Sequence, residues 1–192
     1  MNIDLNKLSK EIYEANKEKG FHEEKNSKEH MLCLVISELM EAVEADRKGR
    51  KADLEHYADI LSSPRHKYGI NNDDWFHLFQ HTIKDTVEDE LADAVIRLLD
   101  TAGALGARVG NRCTGYLDAH ILVEDVKEST FTENVFYIVY IICYYMEHED
   151  LYEIAIYSIN KLCESMNIDL WQQVELKLKY NSLRPYKHGK KY

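Results

Sequence analysis

The chain has 192 residues and a formal net charge of -10, with 45% hydrophobic and 30% charged residues. That balance fits a soluble globular protein large enough to bury a core without staples. It disfavours nucleic acid polymers and anionic membranes as partners, since both are negative. Eight Gly and two Pro are too few for a turn-rich all-β fold, so helices are expected. The opening Met1-Asn-Ile-Asp-Leu-Asn-Lys7 lacks the pattern of a signal peptide. The most apolar run, Val135 to Met146, is too short to cross a bilayer. The cysteines at 33, 113, 143 and 163 form no CxxC pair, which favours free buried thiols in a reducing cytosol over a disulfide framework.

In chain order, apolar periodicity predicts a first helix over residues 3–18, stopped at Gly20. Asn26 with Glu29 resembles a capping box, opening a helix that runs to Arg47. Residues 50–82 form an insertion rich in His and aromatic residues, with a short helix from Ala52 to Leu61. A turn at Ser62-Ser-Pro-Arg65 follows, and Asn71 caps another short helix. A longer helix is expected over Ile83–Leu105. Gly103, Gly106, Gly110 and Gly115 then break the pattern, making 106–128 a connection. Thr130 with Glu133 caps a helix to Met146. A further helix covers Asp150–Glu164, and Asp169 caps the last, which ends near Ser182. The fold class is all-α, a helical bundle in one domain. A degenerate internal repeat also fits: residues 29–36 lie over 133–140, and 90–96 over 150–156, although apolar helices align readily by chance.

The most informative stretch is Cys33 to Glu44. A helix turns about 100° per residue. With Glu38 as the reference direction, Met31, Leu34, Val35, Ala42 and Ala45 fall within about 60° of it. Glu41 lies one turn on. Both acids are therefore expected in an apolar stripe, where a carboxylate needs a positive partner. Glu90-x-x-Asp93 repeats the spacing on another helix, and two antiparallel helices can bring four carboxylates together. Hard oxygen donors suit magnesium, with manganese an alternative. The spacing by itself fits solvated helix faces equally well. The apolar flanks of Glu38 favour burial there, while Thr86, Arg97 and Thr101 weaken the case around Glu90.

Residues 177–192 hold six of the 24 basic residues. Such a tail is either a solvated end or a phosphate clamp, with Asn181 and Arg184 on one helical face and Lys177 a turn earlier. His77 and His81 have the i,i+4 spacing of zinc ligands but lack partner Cys or carboxylate residues at zinc-site spacing. Trp75, Phe76 and Trp171 read as core. Neither a P-loop nor a GxGxxG motif is present.

Four segments carry a resemblance to a known superfamily. They are Ala15–Phe21, Ile36–Arg47, Ile83–Asp100 and Tyr180–Pro185, the last followed by His188-Gly-Lys-Lys191. Together they resemble the all-α nucleoside triphosphate pyrophosphohydrolases, MazG-like and dimeric dUTPase-like. The resemblance implies that Glu38, Glu41, Glu90 and Asp93 hold magnesium. It implies that Lys177, Asn181 and Arg184 meet phosphates, with Lys84, Lys190 and Lys191 as further contacts. The activity implied is magnesium-dependent hydrolysis of a nucleoside triphosphate to the monophosphate and pyrophosphate, a nucleotide-pool house-cleaning reaction. Glu41, or else Glu38, would act as general base, with 50–82 as a lid over the base and a homo-oligomer, dimer or tetramer, as the assembly. Two departures stand out: Ser37 occupies a position often held by Glu, and the insertion is longer than in minimal members. The rival reading is a non-catalytic helical scaffold or interaction protein with its acids on the surface.

Overall fold

A computed structural model describes residues 3–110 and 129–189. Eight α-helices are described: α1 (Leu5–Glu18), α2 (Lys28–Arg47), α3 (Leu54–Ser62), α4 (Asn72–Thr82), α5 (Val87–Leu105), α6 (Phe131–Tyr144), α7 (Leu151–Ser165) and α8 (Leu170–Leu183). Short 3₁₀ turns cover Pro64–His66 and Tyr186–Gly189. No strand occurs among the described residues, and the molecule is an all-α bundle. No described helix is long and apolar enough to cross a membrane.

The helix starts follow side-chain chemistry. Thr130 and Glu133 form the reciprocal capping box that opens α6, and Asn71 and Asp169 accept the N3 amides of α4 and α8. Two starts differ from expectation. Ser27, not Asn26, caps α2, accepting the His30 amide at 3.2 Å, so the expected Asn26/Glu29 box is not the cap. The helix expected from Ile83 begins at Val87. Its cap is Thr86, and Asp85 holds a left-handed φ of 60° that helix cannot continue through. An Asp tolerates this conformation better than most L residues.

α5 is the axis of the fold. It packs against α1, α2, α7 and α8, and most of its length is buried. Gly103 lies inside α5 rather than breaking it. A Cβ there would sit 2.7 Å from the Ser9 carbonyl oxygen and the Tyr13 Cβ, so its lack of a side chain lets α1 lie close against α5. Ser9 Oγ completes that contact by donating to the Leu99 carbonyl at 2.7 Å. The α2–α5 pair packs on the α6–α7 pair through α2·α6 and α5·α7 contacts. One core cluster runs through all of these helices.

The insertion builds a second, smaller core. Tyr57, Trp75, Leu78, Phe79 and Ile83 close around Tyr180 of α8, whose ring stacks on Phe76 and Phe79 at centroid distances of 4.7 and 4.5 Å. The Trp75 indole donates to the Tyr57 hydroxyl at 2.9 Å. Trp75 is thus core, as expected. Of the three cysteines among the described residues, Cys163 is buried, while Cys33 and Cys143 are free but exposed, against the expectation of burial. Cys113 and most of the expected 106–128 connection lie outside the described residues.

Candidate metal centre and cleft

α2 and α5 bring three of the four expected acids together. Carboxylate oxygens of Glu38, Glu90 and Asp93 lie within 4.8 Å of one another. Glu38 and Glu90 are buried, at 2% and 5% exposure, and Asp93 is half-buried. Met31, Val35, Ala42 and Ala45 are buried around Glu38, and Leu34 is half-buried. Glu41 departs from expectation: it is exposed and stands outside the group. Three residues advance a helix by about 300°, so Glu41 is rotated about 60° away from Glu38, enough to carry it to the rim. An unforeseen second group overlaps the first: oxygens of Asp85, Asp89 and Glu90 also lie within 4.8 Å of one another.

Three cations face these acids. Arg97 Nε donates to Glu38 Oε1 at 2.5 Å. Lys177 Nζ donates to Asp89 Oδ1 at 2.7 Å and lies 2.9 Å from Asp93 Oδ2. Lys84 pairs with Asp85. Fully ionised, the five acids Glu38, Asp85, Asp89, Glu90 and Asp93 exceed the three cations by two charges. One divalent ion would neutralise that excess. Ion–oxygen distances of about 2.0–2.6 Å suit a set of carboxylates this close, and the all-oxygen donor set suits a hard cation.

The titration behaviour follows the same balance. Burial pushes the Glu90 carboxyl up to about 9 against the opposing pull of Lys177. Burial likewise raises Glu38, with Asp93 adding to the rise and Arg97 opposing it. Asp89 is raised by burial to about 6, with Lys177 restraining the shift. For Lys177, burial pulls the pKa down but is outweighed by Asp93, Asp89 and Glu90, so the ammonium stays charged. A metal-free centre therefore sheds excess charge by protonation, first at Glu90.

The centre opens through Asp93 and Arg97 into a cleft of about 70 Å³. One wall comes from the end of α1 and the loop after it: Asn16, Phe21, His22 and Asn26. His30, Met31 and Leu34 of α2 add to the lining, with Ile96 and Asp100 of α5, Asn181 of α8 and Arg184 just after α8. His22 Nε2 and Asp100 Oδ1 are 2.9 Å apart. The C-terminal turn steadies this wall. Lys19 Nζ donates to the Ser182 and Arg184 carbonyls at 2.9 and 2.6 Å, the Lys187 amide donates to the Lys19 carbonyl at 2.9 Å, and Lys187 pairs with Glu23 at 3.1 Å. Residues up to 189 are therefore not a free solvated tail.

Of the expected phosphate-binding residues, Asn181 and Arg184 line the cleft, with Arg184 Nη1 3.4 Å from Asn181 Oδ1. Lys177 is 4% exposed and turned into the acids, and Lys84 does not line the cleft. Lys190 and Lys191 lie outside the described residues. No residue of 50–82 lines this cleft; their aromatic residues pack around Tyr180. His77 and His81 are exposed and belong to no metal-binding group among the described residues.

Comparison of the chain with protein-family models, with curated proteins and with solved structures finds no match. Asp89, His22, Phe21 and Asp100 were not singled out as site residues from the sequence, and Arg97 was weighed only as a sign of a wet face. A signal for three of them was present: positions 89, 93, 97 and 100 recur at i+4, i+4 and i+3, one face of one helix.

Proposed function

We propose that the protein is a magnesium-dependent nucleoside triphosphate pyrophosphohydrolase, releasing the monophosphate and pyrophosphate. The observation that carries the reading is the meeting of Glu38, Glu90 and Asp93 from two helices, in a group of five acids that exceeds its three cations by two charges, with a cleft alongside. Glu38, Glu90 and Asp93 would hold the ion. A divalent ion there would lower the pKa of a bound water and offset phosphate charge.

The chain's own residues then divide the remaining work. Arg184 and Asn181 line the same cleft as Asp93 and suit phosphate oxygens, to which Arg forks well. Phe21, Met31 and Ile96 give the same cleft an apolar side suited to the nucleoside. Glu38 is tied to Arg97, which leaves exposed Glu41 as the better general base. Magnesium is the preferred ion and manganese its substitute.

The assembly we assign is a homo-oligomer. α6 has one charged residue, Glu133, which its cap uses. Phe136, Tyr140 and Tyr144, one turn apart, are more than half exposed, leaving on the order of 400 Å² of aromatic surface at the 150–250 Å² typical of such side chains. A patch of that size marks an interaction surface, and a second copy of this chain is the occupant we assign to it.

The activity is tested by pyrophosphate release from a panel of ribo- and deoxyribonucleoside triphosphates with magnesium. Turnover of at least one, lost in Glu38→Gln and Glu90→Gln, is expected. Failure of the well-folded protein to turn over any of them would overturn the reading.

A further inference from the structure

We infer that Asp89 is a positioning residue that shares the Lys177 ammonium with Asp93, so that Lys177 is not neutralised by Asp93 alone and Asp93 can also serve a metal ion. This inference rests on the metal reading above and names a residue outside the expected ExxE/ExxD set.

The geometry sets up a competition for Asp93. Its carboxylate is shared between the Glu38–Glu90–Asp93 group and Lys177 Nζ, 2.9 Å from Oδ2. A buried ammonium left with Asp93 as its sole anion would compete directly with a cation for that oxygen. Asp89 supplies the alternative. It is 1% exposed and takes Lys177 at the shorter distance, 2.7 Å.

Asp89 is itself held in place. Its Oδ2 accepts the Asp85 backbone amide at 3.0 Å, an amide aimed there by the left-handed turn at Asp85. Its own amide donates to the Thr86 hydroxyl at 3.4 Å. A carboxylate pinned on one oxygen and charged on the other is a fixed anchor for an ammonium. Lys177 in turn comes from α8, the helix that delivers Asn181 and Arg184 to the cleft. Anchoring Lys177 therefore also sets where those two side chains stand.

The test is Mn²⁺ binding, read by electron paramagnetic resonance of free Mn²⁺ with no nucleotide present, across wild type, Asp89→Asn, Lys177→Met and the double variant. Thermal scans confirm that each is folded. With its anchor neutralised, Lys177 falls back on Asp93, and Asp89→Asn weakens Mn²⁺ binding roughly 10–100-fold, the range for residues that orient metal ligands. Adding Lys177→Met restores binding to within about threefold of wild type, the coupling expected of a contacting pair. Asp89→Ser keeps an acceptor for the Asp85 amide without the charge and carries the same expectations if the Asn variant does not fold. Weakened binding that Lys177→Met fails to restore would overturn the inference, making Asp89 a metal ligand in its own right. Unchanged binding in a folded Asp89 variant would overturn it as well. Wild-type protein that binds no Mn²⁺ would instead sink the metal reading, and this inference with it.

Discussion

Glu90 is the residue at which burial and charge conflict most. Its carboxyl is raised to about 9 in the folded chain, against about 4.3 for an unperturbed Glu. Between those values the folded protein keeps a proton that the unfolded chain releases. Folding therefore takes up a proton, and the stability of metal-free protein falls as pH rises through that window. In chelator, Tm is expected to drop between pH 6 and pH 9 in wild type, with a shallower drop in Glu90→Gln, whose amide cannot ionise. Parallel slopes would show that Glu90 is not the proton site. Saturating Mg²⁺ should flatten the wild-type slope by taking the proton's place. Arg97 offers a second residue-scale test. Arg97→Met strips buried Glu38 of its partner and should lower the unfolding free energy of metal-free protein by about 2–3 kcal/mol by denaturant titration. That is below the usual range for a broken buried pair, because Glu38 can protonate. The double change Arg97→Met with Glu38→Met should recover most of the loss.

Among the elements, α5 and the turn after α1 decide whether a site exists. α5 presents 89, 93, 97 and 100 on one face while most of its remaining surface, short of its C-terminal end, is buried in other helices. Of the acids of α5, Glu90 and Asp93 were legible from spacing while Asp89 and Asp100 were not picked out, and Glu38 was legible from its apolar neighbours. Glu41 misled because a 60° rotation separates a buried position from a rim one, and sequence does not say where a neighbouring helix ends its cover. Arg97 read as evidence against burial because, without a partner in view, a basic residue beside an acid resembles a wet face. The partner sits 59 positions away, beyond any local pattern. The turn after α1 was legible as a stop and no more. Gly20 has φ +86°, and a Cβ there would fall 2.2 Å from the Tyr186 ring. Gly20→Ala should therefore cost about 1–3 kcal/mol and detach the C-terminal turn from the cleft wall. Limited proteolysis near residue 186 would detect this as faster cutting than in wild type.

At the scale of the whole molecule, the number and order of helices among the described residues followed from periodicity and caps, because most local signals agreed with the global packing. What the insertion does was not legible. Its aromatic residues gave no sign of the satellite core they build, because their partner Tyr180 lies on a helix about 100 positions away. The α6 ridge belongs to this scale as well. Tyr144→Glu with Phe136→Glu should convert an assembled protein to monomer in sedimentation velocity, with helical content unchanged by circular dichroism. A wild type that sediments as a monomer would remove the assembly from the account.

The central claim, that Glu38, Glu90 and Asp93 exist to share a dication, is tested most directly by anomalous diffraction from crystals grown with Mn²⁺. The account predicts one strong anomalous peak within coordination distance, about 2.0–2.6 Å, of all three carboxylates, with Lys177 still on Asp89. A structure at saturating Mn²⁺ with no density between them, or with their side chains turned apart, would contradict it.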